Sequence, residues 1–257
     1  MTTTSYTWAQ RPIPLIRTPL SLNPTPTPDQ FTFAATEMSN VHNCIIRAFN
    51  SIYLQAPHIP PSHHTPFINY MLAAYTGLKA HHEGEESFFF PELERITGEK
   101  DLMDANISQH ADFHSGFEAF GKWLQELKNG REIYDGDKCV RLLDAFIGPL
   151  SSHLNDEIST ILQLSKYGDL LDLRKLGKAE GDKVMGTLNK TTQLPVFFLN
   201  HDLTYENGLH ASFPPIPGVV TWVLREGFAR WNASWWQFAT CGFDGRPREL
   251  PFLGQKS

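Results

Sequence analysis

The spacing of apolar residues divides the chain. Residues 1–33 show no period, and the stretch PIPLIRTPLSLNPTPTPDQ holds six prolines, each removing a backbone donor and biasing its predecessor away from helix. This predicts an extended Pro-rich arm lying over a neighbouring surface. From about residue 34 apolar positions recur every three or four residues, with Ala35, Met38, His42, Ile45, Ile46 and Phe49 on one stripe until APHIPPSHHTP breaks the run. Three more helical patterns follow, over about 67–94 before Gly98, about 101–128 before Asn129-Gly130, and about 136–166 before Gly168. Helices of this length with short connections predict an all-α fold, an up-down-up-down four-helix bundle over 34–167.

Residues 168–257 are of a different kind. DLLDLRKLGKAEGDKVMGTL carries a helical pattern, TTQLPVFFLNHDLTYENGLHASFPPIPG reads as irregular, and GVVTWVLREGFARWNASWWQFATC returns to helix with four of the six tryptophans. Surface this apolar must be buried against something. The simplest arrangement is a partly helical, aromatic and Pro-rich extension packed on the bundle.

Composition narrows the class. At 257 residues and 41% hydrophobic, the chain supports a real core. A net charge of −6, from 22 basic and 28 acidic residues without a basic block, argues against a nucleic-acid partner. The first twenty residues lack the apolar core of a signal peptide, and no apolar run would cross a membrane. Three widely spaced cysteines, Cys44, Cys139 and Cys241, suit a reducing compartment. The expected location is cytoplasmic.

The histidines carry the candidate chemistry. His58, His63 and His64 fall in the Pro-rich linker and read as surface groups, whereas His42 sits inside an apolar stripe. His110 and His114 form an HxxxH pair on the stripe Met103, Ile107, His110, His114, Phe117, and His153 and Glu157 form an HxxxE pair on Leu150, His153, Glu157, Ile161. The second helix offers two such pairs, His81 with Glu85 and His82 with Glu86. Phase selects the first: its stripe is otherwise apolar (Phe67, Met71, Ala74, Leu78, Phe88, Phe89), while the second would draw Lys79 inward at a high desolvation cost. His82, Glu83 and Glu86 are then expected at the rim.

One such pair carries little weight, but seven inward groups from four helices carry much more. Five imidazoles and two carboxylates are costly to bury unless cations accept their lone pairs. Seven N/O donors exceed one tetrahedral zinc site, and no cysteine joins them. Two ions bridged by the two carboxylates fit, and imidazole with carboxylate suits iron, with manganese, zinc or cobalt also able to bind.

The order His42, HxxxE at 81–85 followed by SFFFP, HxxxH at 110–114 and HxxxE at 153–157 resembles the hemerythrin/HHE cation-binding family over about residues 34–167. The resemblance implies a di-iron centre. His110, His114 and His153 would hold one iron, His42 and His81 the other, and Glu85 and Glu157 would bridge. The iron with fewer imidazoles would keep a position open for O2. Oxygen-carrier hemerythrins end in HxxxxD, whereas this chain has HxxxE, as in bacterial HHE proteins and iron-sensing F-box proteins; oxygen transport is therefore not implied. The long C-terminal extension is similar to that of longer fungal hemerythrin-like proteins. The resulting expectation is a non-haem di-iron protein that binds or activates O2, with oxidation of a small organic molecule as one outcome. The alternative is iron, redox or nitric-oxide sensing without catalysis. His201, Asp202 and His210, in the irregular part of the extension, either cap the bundle mouth or serve the loop itself.

Overall fold

Caps and prolines set the helix limits in the computed structural model, which describes residues 6–253. Helix α1 spans Gln30–Gln55 and starts where the Asp29 carboxylate accepts the backbone N–H groups of Phe31 and Thr32 at 2.8 and 2.9 Å. That cap extends the helix back beyond the start of its apolar period. Helix α2 spans His64–Gly84, continues through a π-helical turn at Glu85–Phe89 into a further stretch Phe90–Thr97, and stops at Gly98 with a left-handed φ of 71°. Pro91 has no N–H to return to the preceding turn, and the wider π turn absorbs the missing bond.

Helix α3 is Asp104–Lys128 and α4 is Ile147–Gln163. The single helix predicted over 136–166 is interrupted: a short helix, Gly136–Asp144, precedes α4. Pro149 explains the break, since its ring would clash with the carbonyl four residues back in a continuous helix. Helix α5, Leu173–Thr187, is capped by Asp172, which accepts from the Lys175 N–H at 3.0 Å.

Among the described residues there is no β-strand, only an isolated bridge between Cys241 and Pro247. The architecture is an all-α helical bundle in which α1 to α4 pack as a ring, each against the next and α4 against α1. Phe49, Phe67, Met71, Leu78, Phe120 and Leu150 are fully buried inside it. Helix α5 lies against α2, close enough that a Cβ on Gly84 would come within 2.5 Å of the Val184 side chain.

The arm is bound to α1 without a sheet. Asn50 accepts the Ile13 N–H at 3.0 Å and donates to the carbonyls of Trp8 and Ile13, and Asn43, two turns earlier, pairs in both directions with Ile16 at 2.8 Å. These side chains satisfy backbone groups that a strand would pair with a neighbour. The end of the chain closes over the same region: Ser51 donates to the Phe238 carbonyl, Phe238 packs edge-on against Phe67, and the Trp8 indole donates to the Arg248 carbonyl at 3.0 Å. Glu206 joins arm to extension, accepting from Thr18, Ser21 and His210.

Asn50→Ala removes three buried hydrogen bonds and is expected to lower the unfolding free energy by about 3 kcal/mol, read as a lower urea midpoint. An unchanged midpoint would mean that the arm lies outside the cooperative unit. Burial raises the Glu206 pKa, but hydrogen bonds from His210, Ser21 and Thr18 outweigh it and hold the carboxyl at about 2 instead of 4.5. A depressed carboxyl stabilises the fold above its unfolded pKa, so this contribution should fade as the pH drops from 4.5 through 2. Urea midpoints across that window should fall less steeply in Glu206→Gln than in the parent chain.

Candidate metal centre

Four helices each deliver donors to the middle of the ring. Two overlapping groups form: His82, Glu85, His110 and His153, and His42, His81, Glu85 and Glu157, with the donor atoms of each within 4.8 Å of one another. Glu85 belongs to both. Glu157 also lies between them, its Oε2 3.3 Å from His42 Nε2 and 3.8 Å from His153 Nε2. His81 Nε2 is 3.1 Å from Glu85 Oε1, and His110 Nε2 is 3.5 Å from Glu85 Oε2. All seven side chains are buried, with His42, Glu85, His153 and Glu157 fully so.

The hydrogen bonds on the far side of the rings fix what faces inward. His42 Nδ1 donates to the Leu154 carbonyl at 2.8 Å, His110 Nδ1 to the Glu86 carboxylate at 2.6 Å, and His153 Nδ1 to the Gln109 amide oxygen at 3.4 Å. In a neutral imidazole the other nitrogen then carries a lone pair. His110 Nε2 and His153 Nε2 therefore face each other as two acceptors 3.0 Å apart. Both oxygens of Glu85, both of Glu157 and His82 Nε2 are buried without a hydrogen-bond partner. Converging acceptors without a donor fit a cation and little else. The centre is built to bind metal, with a nitrogen and oxygen donor set that suits iron.

Burial also sets the charge state of these groups. Burial drives the His81 and His82 pKa values far below the ordinary imidazole range and that of His153 to about 3, while burial and the neighbouring Glu157 carboxylate push Glu85 upward. His81, His82 and His153 are thus kept neutral, the form that ligates metal.

Six of the seven residues singled out in the sequence, His42, His81, Glu85, His110, His153 and Glu157, come together here. His114 does not. It is exposed, as is Ile107, and the inward stripe of α3 instead runs through Asn106, His110, Phe113 and Phe117. Both stripes obey helical spacing, and packing chose the one that buries Phe113. His82 occupies the expected place of His114, buried beside His110 with ring centroids 4.3 Å apart. The rim expectation for His82 rested on the cost of burying Lys79, but Lys79 stays partly exposed, with its ammonium 3.0 Å from Glu118. Glu86 is at the rim as expected, where it orients His110. The adjacent pair His81-His82 was the available signal: a helix in a closed ring faces two neighbours, so residues 100° apart can both point inward.

One side of the centre is dry and aromatic, with Phe113 near His82, His110 and His153, and Phe90 stacked on His110. The other side opens. A cavity of about 370 Å³ is bounded by α1, α5 and the extension, and His81 is the metal-centre residue in its wall. His201 also lines it, donating through Nε2 to the His210 carbonyl at 2.9 Å. Asp202 and His210 are engaged within the loop and with Glu206, serving local structure.

Residues 34–164 match the family model described as the hemerythrin HHE cation-binding domain. The chain is also similar to the dimeric xanthone biosynthesis cluster protein R11 of Cryptosporiopsis sp. (strain 8999), 33% identical over 98% of this chain and 97% of that one. No solved structure matches the chain.

The two histidines exchanged between expectation and structure give a direct test. His82→Ala should lower metal affinity by about tenfold or more, while His114→Ala should leave it unchanged, as read by metal content after dialysis against a graded chelator. Loss of metal from the His114 variant alone would reverse the assignment.

Proposed function

Because the chain belongs to the hemerythrin HHE cation-binding family, we propose that it is a non-haem di-iron protein that activates O2 and oxidises a small organic molecule. The observation that carries the reading is the paired donor geometry: two ligand quartets share Glu85, and both oxygens of Glu85, both of Glu157 and His82 Nε2 are buried there without a hydrogen-bond partner. A reduced iron pair, when bound, would supply electrons to O2. His82, His110 and His153 would hold one ion, His42 and His81 the other, with Glu85 and Glu157 between them.

The rest of the work belongs to the chain. Leu154, Glu86 and Gln109 hold protons on the outer nitrogens of three imidazoles, keeping the inner nitrogens free and the rings oriented. Phe90 and Phe113 exclude water from the three-histidine side. The two-histidine group is the one beside the cavity, through His81, so the ion with fewer imidazole donors would face the route of entry. A sealed centre would favour reversible binding; one facing a cavity favours reaction with a second molecule. The relative's name, which ties it to dimeric xanthone biosynthesis, supports a role in small-molecule chemistry.

The test is anaerobic loading with ferrous iron, followed by a count of irons per chain and exposure to O2. About two irons per chain, together with an absorption change and oxygen consumption, is the expected result. A single ion, or a loaded protein inert to O2, would sink the reading. A change reversed by removing O2 would favour binding or sensing over oxidation.

A further inference from the structure

The cavity beside His81 has features the metal centre does not require. Its wall is mainly apolar and aromatic, with Phe33, Phe89, Phe197, Phe198, Phe213 and Ile216 among the lining side chains. Its volume of about 370 Å³ falls within the roughly 300–1,000 Å³ of small-molecule sites. The basic residues that line it, Arg174 and Lys178, are exposed and therefore belong to the rim. Inside it are two carboxyls, Glu37 and Glu180. Neither has a hydrogen-bond or ion-pair partner among the described residues, and Glu180 is only 7% exposed. Burial favours the protonated form of each, and such a carboxyl can donate a hydrogen bond to a ligand oxygen as well as accept one.

The wall formed by α5 contains a second anomaly. Gly177 and Gly181 lie inside the helix and line the cavity, and a Cβ at either position would meet nothing within 4 Å. Each costs about 1 kcal/mol of helix stability relative to alanine. Neither has a left-handed backbone to justify it. What the glycines provide is room in the cavity wall.

We propose that this cavity is a substrate chamber for a neutral, oxygenated, fused-ring aromatic compound, with Glu180 as the residue that positions it by hydrogen bonding to a phenol or aryl-ketone oxygen. Flat rings suit a space lined by bare α5 backbone and aromatic side chains. An anion would meet two carboxyls and no buried cation. Glu180 lines the same cavity as His81, and its Oε1 lies 3.6 Å from where a Cβ on Gly84, the residue before Glu85, would sit, so an oxygen held there places the ring system at the metal side of the chamber. This rests on the oxygen-activating reading for what becomes of the bound molecule, but binding itself can be measured apart from it.

The experiment uses the full-length, iron-loaded protein with two probes, hydroxyanthraquinone and anthracene, titrated by fluorescence. The parent chain should bind the oxygenated probe about tenfold more tightly than the hydrocarbon. Glu180→Leu should remove that preference, leaving anthracene binding and iron content unchanged. Gly181→Leu strengthens the helix while filling the chamber, so it should remain folded and lose binding of both probes by about tenfold or more. Undiminished binding in Gly181→Leu would overturn the chamber. A preserved preference in Glu180→Leu, or loss of iron from it, would overturn the role of Glu180. Probe binding by a parent chain inert to O2 would sink the oxidase reading and keep the chamber; oxygen consumption without probe binding would do the reverse.

Discussion

The structure depends on the electrostatic imbalance at the middle of the helical ring. Seven side chains converge on one small volume, and the ring hydrogens of His42, His110 and His153 are turned outward. In a low-dielectric interior, unpaired acceptors are among the most costly arrangements a protein can hold. A cation converts that cost into binding energy, and the same burial that keeps His81, His82 and His153 neutral prepares them to receive it. The surrounding details serve this condition: Leu154, Glu86 and Gln109 fix the tautomers, and Phe90 and Phe113 keep competing water away.

The centre is asymmetric, and the asymmetry originates outside the four bundle helices. The three-histidine side is covered by aromatic residues of α2 and α3. The two-histidine side is bounded by α5 and the extension, which enclose a cavity instead of filling it. Gly84 allows α5 to approach α2 beside Glu85, while Gly177 and Gly181 leave its inner face bare. Arm and extension are joined through Glu206 and through Trp8 with Arg248, so the extension that closes the cavity is anchored to the arm as well as to α1. A bundle that only held metal would not need this enclosure.

The exchange of His82 for His114 shows how far a one-dimensional pattern reaches. A helix repeat of three and four admits two stripes through His110, one containing Ile107 and His114 and one containing Asn106 and Phe113. Nothing within α3 alone separates them. The choice was made by contacts with neighbouring helices, where Phe113 gains more from burial than His114 would. Lys79 misled for a related reason: a long side chain can lay its stem on apolar surface and carry its charge to Glu118. The break before α4 differs in kind, since Pro149 was visible and its steric consequence follows directly from its ring.

By itself the sequence determined the helical class, the approximate extents of α1 to α3, the presence of an extension that had to be buried, and six of the seven residues that converge. These are set by local spacing and by the chemistry of residue types, which need no knowledge of neighbours. Only the tertiary structure decided that His81 and His82 both face inward, that His114 does not, and that one side of the centre opens onto a chamber. Those features depend on how one helix is rotated against the next and on what is left unfilled between them. Rotation and empty space are properties of several segments packed together, and no single segment carries them.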